Sequence, residues 1–90
     1  MLERKRTEML KKIREMALNN ERDLYLWMLV AEESRDEEIY SLALAVRNYL
    51  LCKKGLPKKM LEDILEKMEN GAKSKEEKEE ITKLKKVLFS

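Results

Sequence analysis

The sequence predicts an all-α fold, a small bundle of four to five helices in a single domain that spans residues 1–90. Apolar residues recur at helical spacing along most of the chain, and residue types that start and stop helices stand between the apolar segments. Only two glycines and one proline occur, and all three stand at segment boundaries. We therefore divide the chain into five helical segments.

The first segment, from about residue 2 to residue 18, is an amphipathic helix. Most of its basic residues lie away from its apolar face, and Asn19 and Asn20 end it. The apolar face consists of Leu2, Met9, Leu10, Ile13, Met16 and Ala17.

The second segment, from about residue 21 to residue 33, is apolar on every side. Asn20 is its expected N-cap. Residues 24–31 form an unbroken apolar run. Because successive helical side chains turn by about 100°, this run points in all directions and requires cover all round. A strand over residues 24–30 is the weaker alternative, because no second strand is available to pair with it.

The third segment, from about residue 35 to residue 54, carries two apolar stripes. Ser34 and Glu37 form an expected capping box at its start. Gly55 is expected in the left-handed conformation that often follows a helix. The wide stripe consists of Ile39, Leu42, Ala43, Val46, Tyr49 and Leu50, and the narrow stripe of Tyr40, Leu44 and Leu51.

The fourth segment runs from about residue 57 to residue 70. Pro57 suits the first helical position, where its missing N–H is not needed, and Gly71 ends the segment. Its apolar face consists of Leu56, Met60, Leu61, Ile64 and Met68.

The fifth segment runs from about residue 75 to residue 89, and Ser74 and Glu77 form a second expected capping box. Residues 75–80 include no apolar residue, so we expect this half of the helix to be solvated. The residues able to pack on the bundle are Ile81, Leu84, Val87, Leu88 and Phe89.

The second and third helices carry more apolar perimeter than their neighbours can cover. Three other helices, one of them half polar, are left to surround both. Fully burying a leucine contributes about 2 kcal/mol, and exposed apolar surface usually marks an interface. We therefore expect a protein-interaction or assembly module, either a homodimer or a chain with a protein partner, and a compact monomer is the alternative. The expected interface residues are Leu26, Val30, Tyr40, Leu44 and Leu51.

The chain lacks the residues on which most catalytic and metal sites depend. With no histidine and one cysteine, the common nucleophile–base pairs and zinc sites are excluded. Cys52 follows two leucines and is expected to be buried as a small apolar residue. We therefore expect no enzymatic activity, no cofactor and no metal. An acidic cluster is interpreted as a solvated helix start rather than a cation site: Glu32, Glu33, Asp36, Glu37 and Glu38.

Composition indicates a cytoplasmic protein. A single cysteine fits a reducing compartment, the first residues are charged rather than a secretory signal, and no apolar run is long enough to span a membrane. Lysine and glutamate are abundant and glutamine is absent. This pattern is typical of thermophile proteins and also of designed helical proteins.

Basic residues near both ends of the chain favour an alternative function. Residues 1–18 and 53–90 each carry a net charge of +3, whereas residues 19–52 carry −4. Lys58 and Lys59 oppose the dipole of the helix they begin, and this arrangement suits phosphate oxygens. The alternative is a small nucleic-acid-associated protein that contacts the DNA or RNA backbone. Its expected phosphate contacts are Arg4, Lys5, Lys11, Lys12, Lys53, Lys54, Lys58 and Lys59.

Residues 55–65 resemble the hairpin of helix-hairpin-helix DNA-binding motifs, in which two glycines flank an apolar residue before a lysine-containing turn. Pro57 stands in place of the second glycine and Leu61 in place of a small residue, so the resemblance breaks at its defining positions. Aromatic residues are not interleaved with the basic ones, so stacking on single-stranded bases is not supported. Those expected in the core are Tyr25, Trp27, Tyr40 and Tyr49.

Overall fold

Five helices joined by short turns make up residues 3–90, which confirms the predicted all-α class. A computed structural model describes the backbone of residues 3–90 and the side chains of residues 5–90. No strand occurs in this part of the chain, and the expected helix start at Leu2 lies outside it. The helices are α1 (Glu3–Leu18), α2 (Leu24–Ser34), α3 (Glu37–Leu51), α4 (Leu56–Asn70) and α5 (Lys75–Phe89).

The third helix lies at the centre of the bundle. It packs against α1, α2 and α4, while α5 packs against α1 and α4. Four of its side chains have no exposed surface, and Tyr49 contacts Phe89 edge-on, with ring centroids 5.3 Å apart. Helix α2 packs against both α3 and α1, and it uses one side for these contacts, through Trp27, Val30 and Ala31. The fully buried residues of α3 are Ile39, Leu42, Ala43 and Val46.

The N-cap of α2 is Asp23, and the prediction of Asn20 is wrong. The Asp23 carboxylate accepts a hydrogen bond from the Tyr25 N–H at 2.9 Å. Asn20 instead adopts a left-handed conformation (φ 54°) as the chain leaves α1, a conformation that asparagine tolerates better than most residues. On the buried side of α2, the Trp27 indole N–H donates to the Glu21 carbonyl at 2.6 Å.

The predicted capping box at Ser34 and Glu37 is also wrong. Ser34 is the last residue of α2, and its hydroxyl donates to the Ala31 carbonyl at 2.6 Å. Arg35 turns the chain through a left-handed conformation. Asp36 then caps α3 by accepting from the N–H groups of Glu38 and Ile39. Aspartate and serine are comparably good N-caps, but Ser34 is still part of α2 and therefore cannot begin α3.

The third helix ends at Leu51, three residues earlier than predicted. Gly55 does have a positive φ of 66°, but it is the N-cap of α4 rather than the residue that ends α3. Its ψ of −138° combines with this φ in a region that only glycine enters readily. Pro57 lies in the first turn of α4 and Gly71 caps its end, both as predicted.

The first half of α5 is partly buried, so the prediction that it is solvated is wrong. The Ser74 hydroxyl accepts from the Glu77 N–H at 3.1 Å, which confirms the predicted N-cap. Glu77 and Glu80, however, turn inward toward α1, and each side chain is only 4% exposed. Glu80 pairs with Arg14 at 2.7 Å. Arginine partners on α1 make burial of these carboxylates tolerable.

One arginine joins three elements of the fold. The Arg6 guanidinium of α1 contacts Asp36 at 2.6 Å, Glu38 at 3.0 Å and Glu77 at 2.6 Å. It therefore ties α1 to the starts of both α3 and α5. The Arg6 cluster denotes these four residues below. Among the described side chains, no buried polar atom lacks a hydrogen-bond partner, so the cluster is fully satisfied.

The cluster changes the acid–base behaviour of its members. Burial raises the pKa of Asp36, but the hydrogen bond from the Ile39 N–H and the ion pair with Arg6 outweigh burial and hold this pKa below its usual value. Burial lowers the pKa of Arg6, but its hydrogen bonds to Glu77 and Asp36 outweigh burial and raise it. Both members are therefore charged at neutral pH.

Replacing Arg6 by methionine should lower the free energy of unfolding by about 3 kcal/mol at neutral pH, because buried carboxylates lose their counter-charge. Asp36 stabilises the fold fully above its unfolded-state pKa of about 3.9, and this contribution is lost as pH falls through its lower native pKa. The difference between wild type and Arg6→Met should therefore narrow below about pH 4. Urea titrations followed by Trp27 fluorescence measure this difference in the free energy of unfolding at each pH.

The matched control is Lys85→Met, which removes the more exposed pair of Lys85 with Glu69. Such a pair contributes roughly 0–1 kcal/mol. Equal destabilisation by both variants, or a difference that does not change with pH, would contradict the role given to Arg6.

Candidate functional site

An exposed apolar face runs along α2. Its four members are between 38% and 66% exposed, although each has a large apolar side chain. Tyr25 and Leu29 stand on the side opposite Trp27, and Leu24 and Leu26 lie at the two edges of the face. Trp27, Val30 and Ala31 are the buried residues that attach α2 to the bundle. The face spans about 200° of the helix perimeter at 100° per residue. The α2 apolar face denotes Leu24, Tyr25, Leu26 and Leu29 below.

The structure distributes the five expected interface residues differently from the prediction. Leu26, Tyr40 and Leu51 are exposed, and Leu44 is half-buried. Val30 is buried by the chain itself, because it stands on the attached side of α2. It therefore belongs to the core, although it also lines the groove between α1 and α2, and its assignment to an interface stays a prediction.

Two of the four aromatic residues expected in the core are exposed. Trp27 and Tyr49 are buried as predicted, but Tyr25 is 66% exposed and Tyr40 is at the surface. Sequence reasoning also missed Leu24 and Leu29. The uninterrupted apolar run signalled that some of α2 would remain exposed, but only the packing of α2 on α3 decides which side.

Tyr40 of α3 is exposed beside the C-terminal end of α2. It lines a shallow pocket together with Ala31 and Glu32 of α2, and no member of the α2 apolar face lines this pocket. Leu24 is seven residues before Ala31, so it lies on the same side of α2 but about two turns away. Leu44 follows Tyr40 one turn later on α3.

A groove between α1 and α2 lies along the opposite edge of the α2 apolar face. It has a volume of about 760 Å³, and Met16, Leu26 and Leu29 supply its apolar lining. Lys12 and Glu33 contact each other at 3.5 Å. Charges of both signs therefore border one apolar groove. The charged residues that line it are Lys5, Lys12, Glu21, Glu32, Glu33 and Arg35.

A second groove lies where α3 gives way to α4. Its volume is about 410 Å³, and its lining is mainly apolar. We call it the α3–α4 groove. Leu51 lines it, so this member of the predicted interface belongs to a different surface from Leu26. The lining residues are Ala45, Asn48, Leu51, Cys52, Leu56, Pro57 and Met60.

The expected phosphate contacts fall into two groups with different surroundings. Lys5 and Lys11 of α1 are exposed, whereas Lys12 is paired with Glu33. The side chain of Arg4 lies outside the described residues. In the second group all four lysines are exposed, and no described carboxylate lies within ion-pair distance of them: Lys53, Lys54, Lys58 and Lys59.

The acidic cluster around the start of α3 is partly committed to the fold. Asp36 and Glu38 belong to the Arg6 cluster. Within the described residues, no group of three or more carboxylate, thiol or imidazole side chains is placed to hold a metal ion.

Cys52 is exposed, so the prediction that it is buried is wrong. Helix α3 ends one residue before it, and Cys52 leaves the helical register that buries Tyr49 and Leu50. Its thiol lies 3.6 Å from the Lys54 carbonyl, to which it donates. The side chain lines the α3–α4 groove and is open to solvent.

Comparisons of the chain with protein-family models, with curated proteins and with solved structures found no match. Within residues 3–90, no helix is both long and apolar enough to cross a membrane.

The folded protein should react with an aromatic disulfide reagent at one thiol per chain, without denaturant, because Cys52 is exposed. Absorbance of the released thiolate measures the reaction, and Cys52→Ser is the control for background. A native protein that reacts only after denaturant is added would place the thiol in the interior and contradict this surface.

Proposed function

We propose that this protein is a non-enzymatic assembly module that forms a homodimer through the α2 apolar face. The exposed state of Leu24, Tyr25, Leu26 and Leu29 supports the proposal most directly. Each of these side chains still has a substantial part of its apolar area in water, and its burial in an interface would contribute on the order of 1 kcal/mol. A contiguous apolar surface of this kind marks an interface more often than chance exposure.

Charge distribution favours a second copy of the chain as the occupant. The groove beside the face has Lys5 and Lys12 on α1 and Glu32 and Glu33 on α2. A two-fold axis brings each surface onto its own copy in reversed direction. Basic residues of one copy can then face acidic residues of the other, so the two surfaces are complementary.

The proposal is for binding rather than catalysis. The chain contains no histidine, and its one cysteine lies exposed beside lysines rather than beside a general base. The proposed work of the molecule is therefore done by surface shape, apolar area and charge.

Leu29→Glu should weaken self-association about tenfold or more, because dimer formation would bury an unpaired carboxylate. Sedimentation equilibrium over micromolar to millimolar concentrations measures the dissociation constant. Circular dichroism should show unchanged helix content, because Leu29 is 46% exposed within the chain.

The control is Met60→Glu, an equivalent change at an exposed residue of the α3–α4 groove. It should leave the dimer intact. A wild-type protein that sediments as a monomer throughout this range would refute the proposal. So would a dimer that Leu29→Glu leaves unchanged.

A further inference from the structure

We propose that the α3–α4 groove binds an acidic segment of a partner protein, anchored by a large apolar side chain. This surface is separate from the α2 apolar face, so the inference goes beyond the proposed dimer. It rests on the combination of an apolar groove with unpaired positive charge around it.

The groove is concave and apolar. Leu51, Leu56 and Met60 line it and are 48%, 67% and 52% exposed, so each retains much apolar area that a ligand could cover. Its volume of about 410 Å³ is at the lower end of the range for pockets that bind small ligands. The space therefore suits one or a few apolar side chains rather than the whole face of a long helix.

Four lysines flank this groove in the chain. Lys53 and Lys54 follow α3, and Lys58 and Lys59 occupy the first turn of α4. None of them is paired with a carboxylate among residues 5–90, whose side chains the structure describes. A ligand with acidic side chains would supply the missing opposite charge, and complementary charge would both speed association and fix the register of the segment.

The start of α4 adds to this positive character. Gly55 provides no side-chain hydrogen bond to the free N–H groups of the helix, and the first turn contains no acidic residue. Asp36 and Ser74 provide such caps at the starts of α3 and α5. The uncapped start and the lysines together favour a negatively charged ligand.

An acidic protein segment fits this surface better than a nucleic-acid backbone does. Phosphate recognition requires hydrogen-bond donors and positive charge, and the exposed apolar side chains of Leu56 and Met60 would have no role in it. No aromatic residue lines the groove on which a base could stack. A second copy of the same groove is also disfavoured, because two clusters of lysines would face each other.

Selection from a random peptide display library tests the proposal without assuming a sequence. The full chain is the target, and the immobilisation surface without protein serves for counter-selection, so the later comparison with Met60→Glu is independent of the selection. We expect enriched peptides to combine several Asp or Glu residues with a Leu, Ile, Phe or Trp anchor. Affinities of the enriched peptides are then measured by fluorescence anisotropy.

Two variants test the two parts of the surface. Met60→Glu should weaken binding of the enriched peptides about tenfold or more by placing a charge in the apolar contact. The double variant Lys58→Glu, Lys59→Glu should weaken binding similarly at low salt, and less at high salt, where these charges are screened. Leu29→Glu, on the α2 apolar face, should not change peptide binding, so failure of this proposal is distinguishable from failure of the dimer.

Three results would overturn the proposal. The first is the absence of any enrichment, and the second is enrichment of peptides without acidic residues. The third is a set of peptides that bind Met60→Glu as well as wild type. A parallel titration with duplex and single-stranded DNA tests the nucleic-acid alternative. DNA binding that falls steeply between about 50 and 200 mM salt, and that Met60→Glu does not change, would assign the lysines to phosphate contacts instead.

Discussion

The small size of the bundle limits how much helix surface it can cover, and the proposed function depends on this constraint. A central helix needs neighbours on most of its sides, and α3 takes that position, in contact with α1, α2 and α4. Helix α2 is then held on one side, through Trp27, Val30 and Ala31. Its sequence is apolar on all sides, so the outer side remains as an apolar surface in water. This is the physical origin of the α2 apolar face.

Ion pairs join α1 to the start of α3 and to α5. Helix α5 begins with a strongly polar stretch, yet Glu77 and Glu80 are buried against α1 because Arg6 and Arg14 neutralise them. Arg6 also holds Asp36, the residue that caps α3. Burying such groups unpaired would be strongly destabilising. The positions of α1, α3 and α5 are therefore specified by ion pairs as well as by apolar packing.

Two surfaces with different chemistry result from these constraints. The α2 apolar face presents leucine and tyrosine side chains, and the adjoining groove carries both signs of charge. This combination suits a symmetric contact with another copy. At the junction of α3 and α4 a mainly apolar groove has four exposed lysines beside it in the chain, which suits an unlike partner. A protein with both surfaces could assemble with itself and hold a second protein at the same time.

The sequence alone determined the helical class, the number of helices and the ends of α4, because Pro57, Gly71 and the spacing of apolar residues act locally. It also showed that α2 and α3 carry surplus apolar surface. It did not identify Asp36 and Asp23 as caps, since competing Ser and Asn signals stood within three residues of each. Only the tertiary structure decided that Val30 is buried while Tyr25 and Cys52 are exposed, and that Glu77 and Glu80 face inward. Those outcomes depend on which side of each helix meets its neighbours, and helical periodicity specifies the angles between side chains but not the direction of the core.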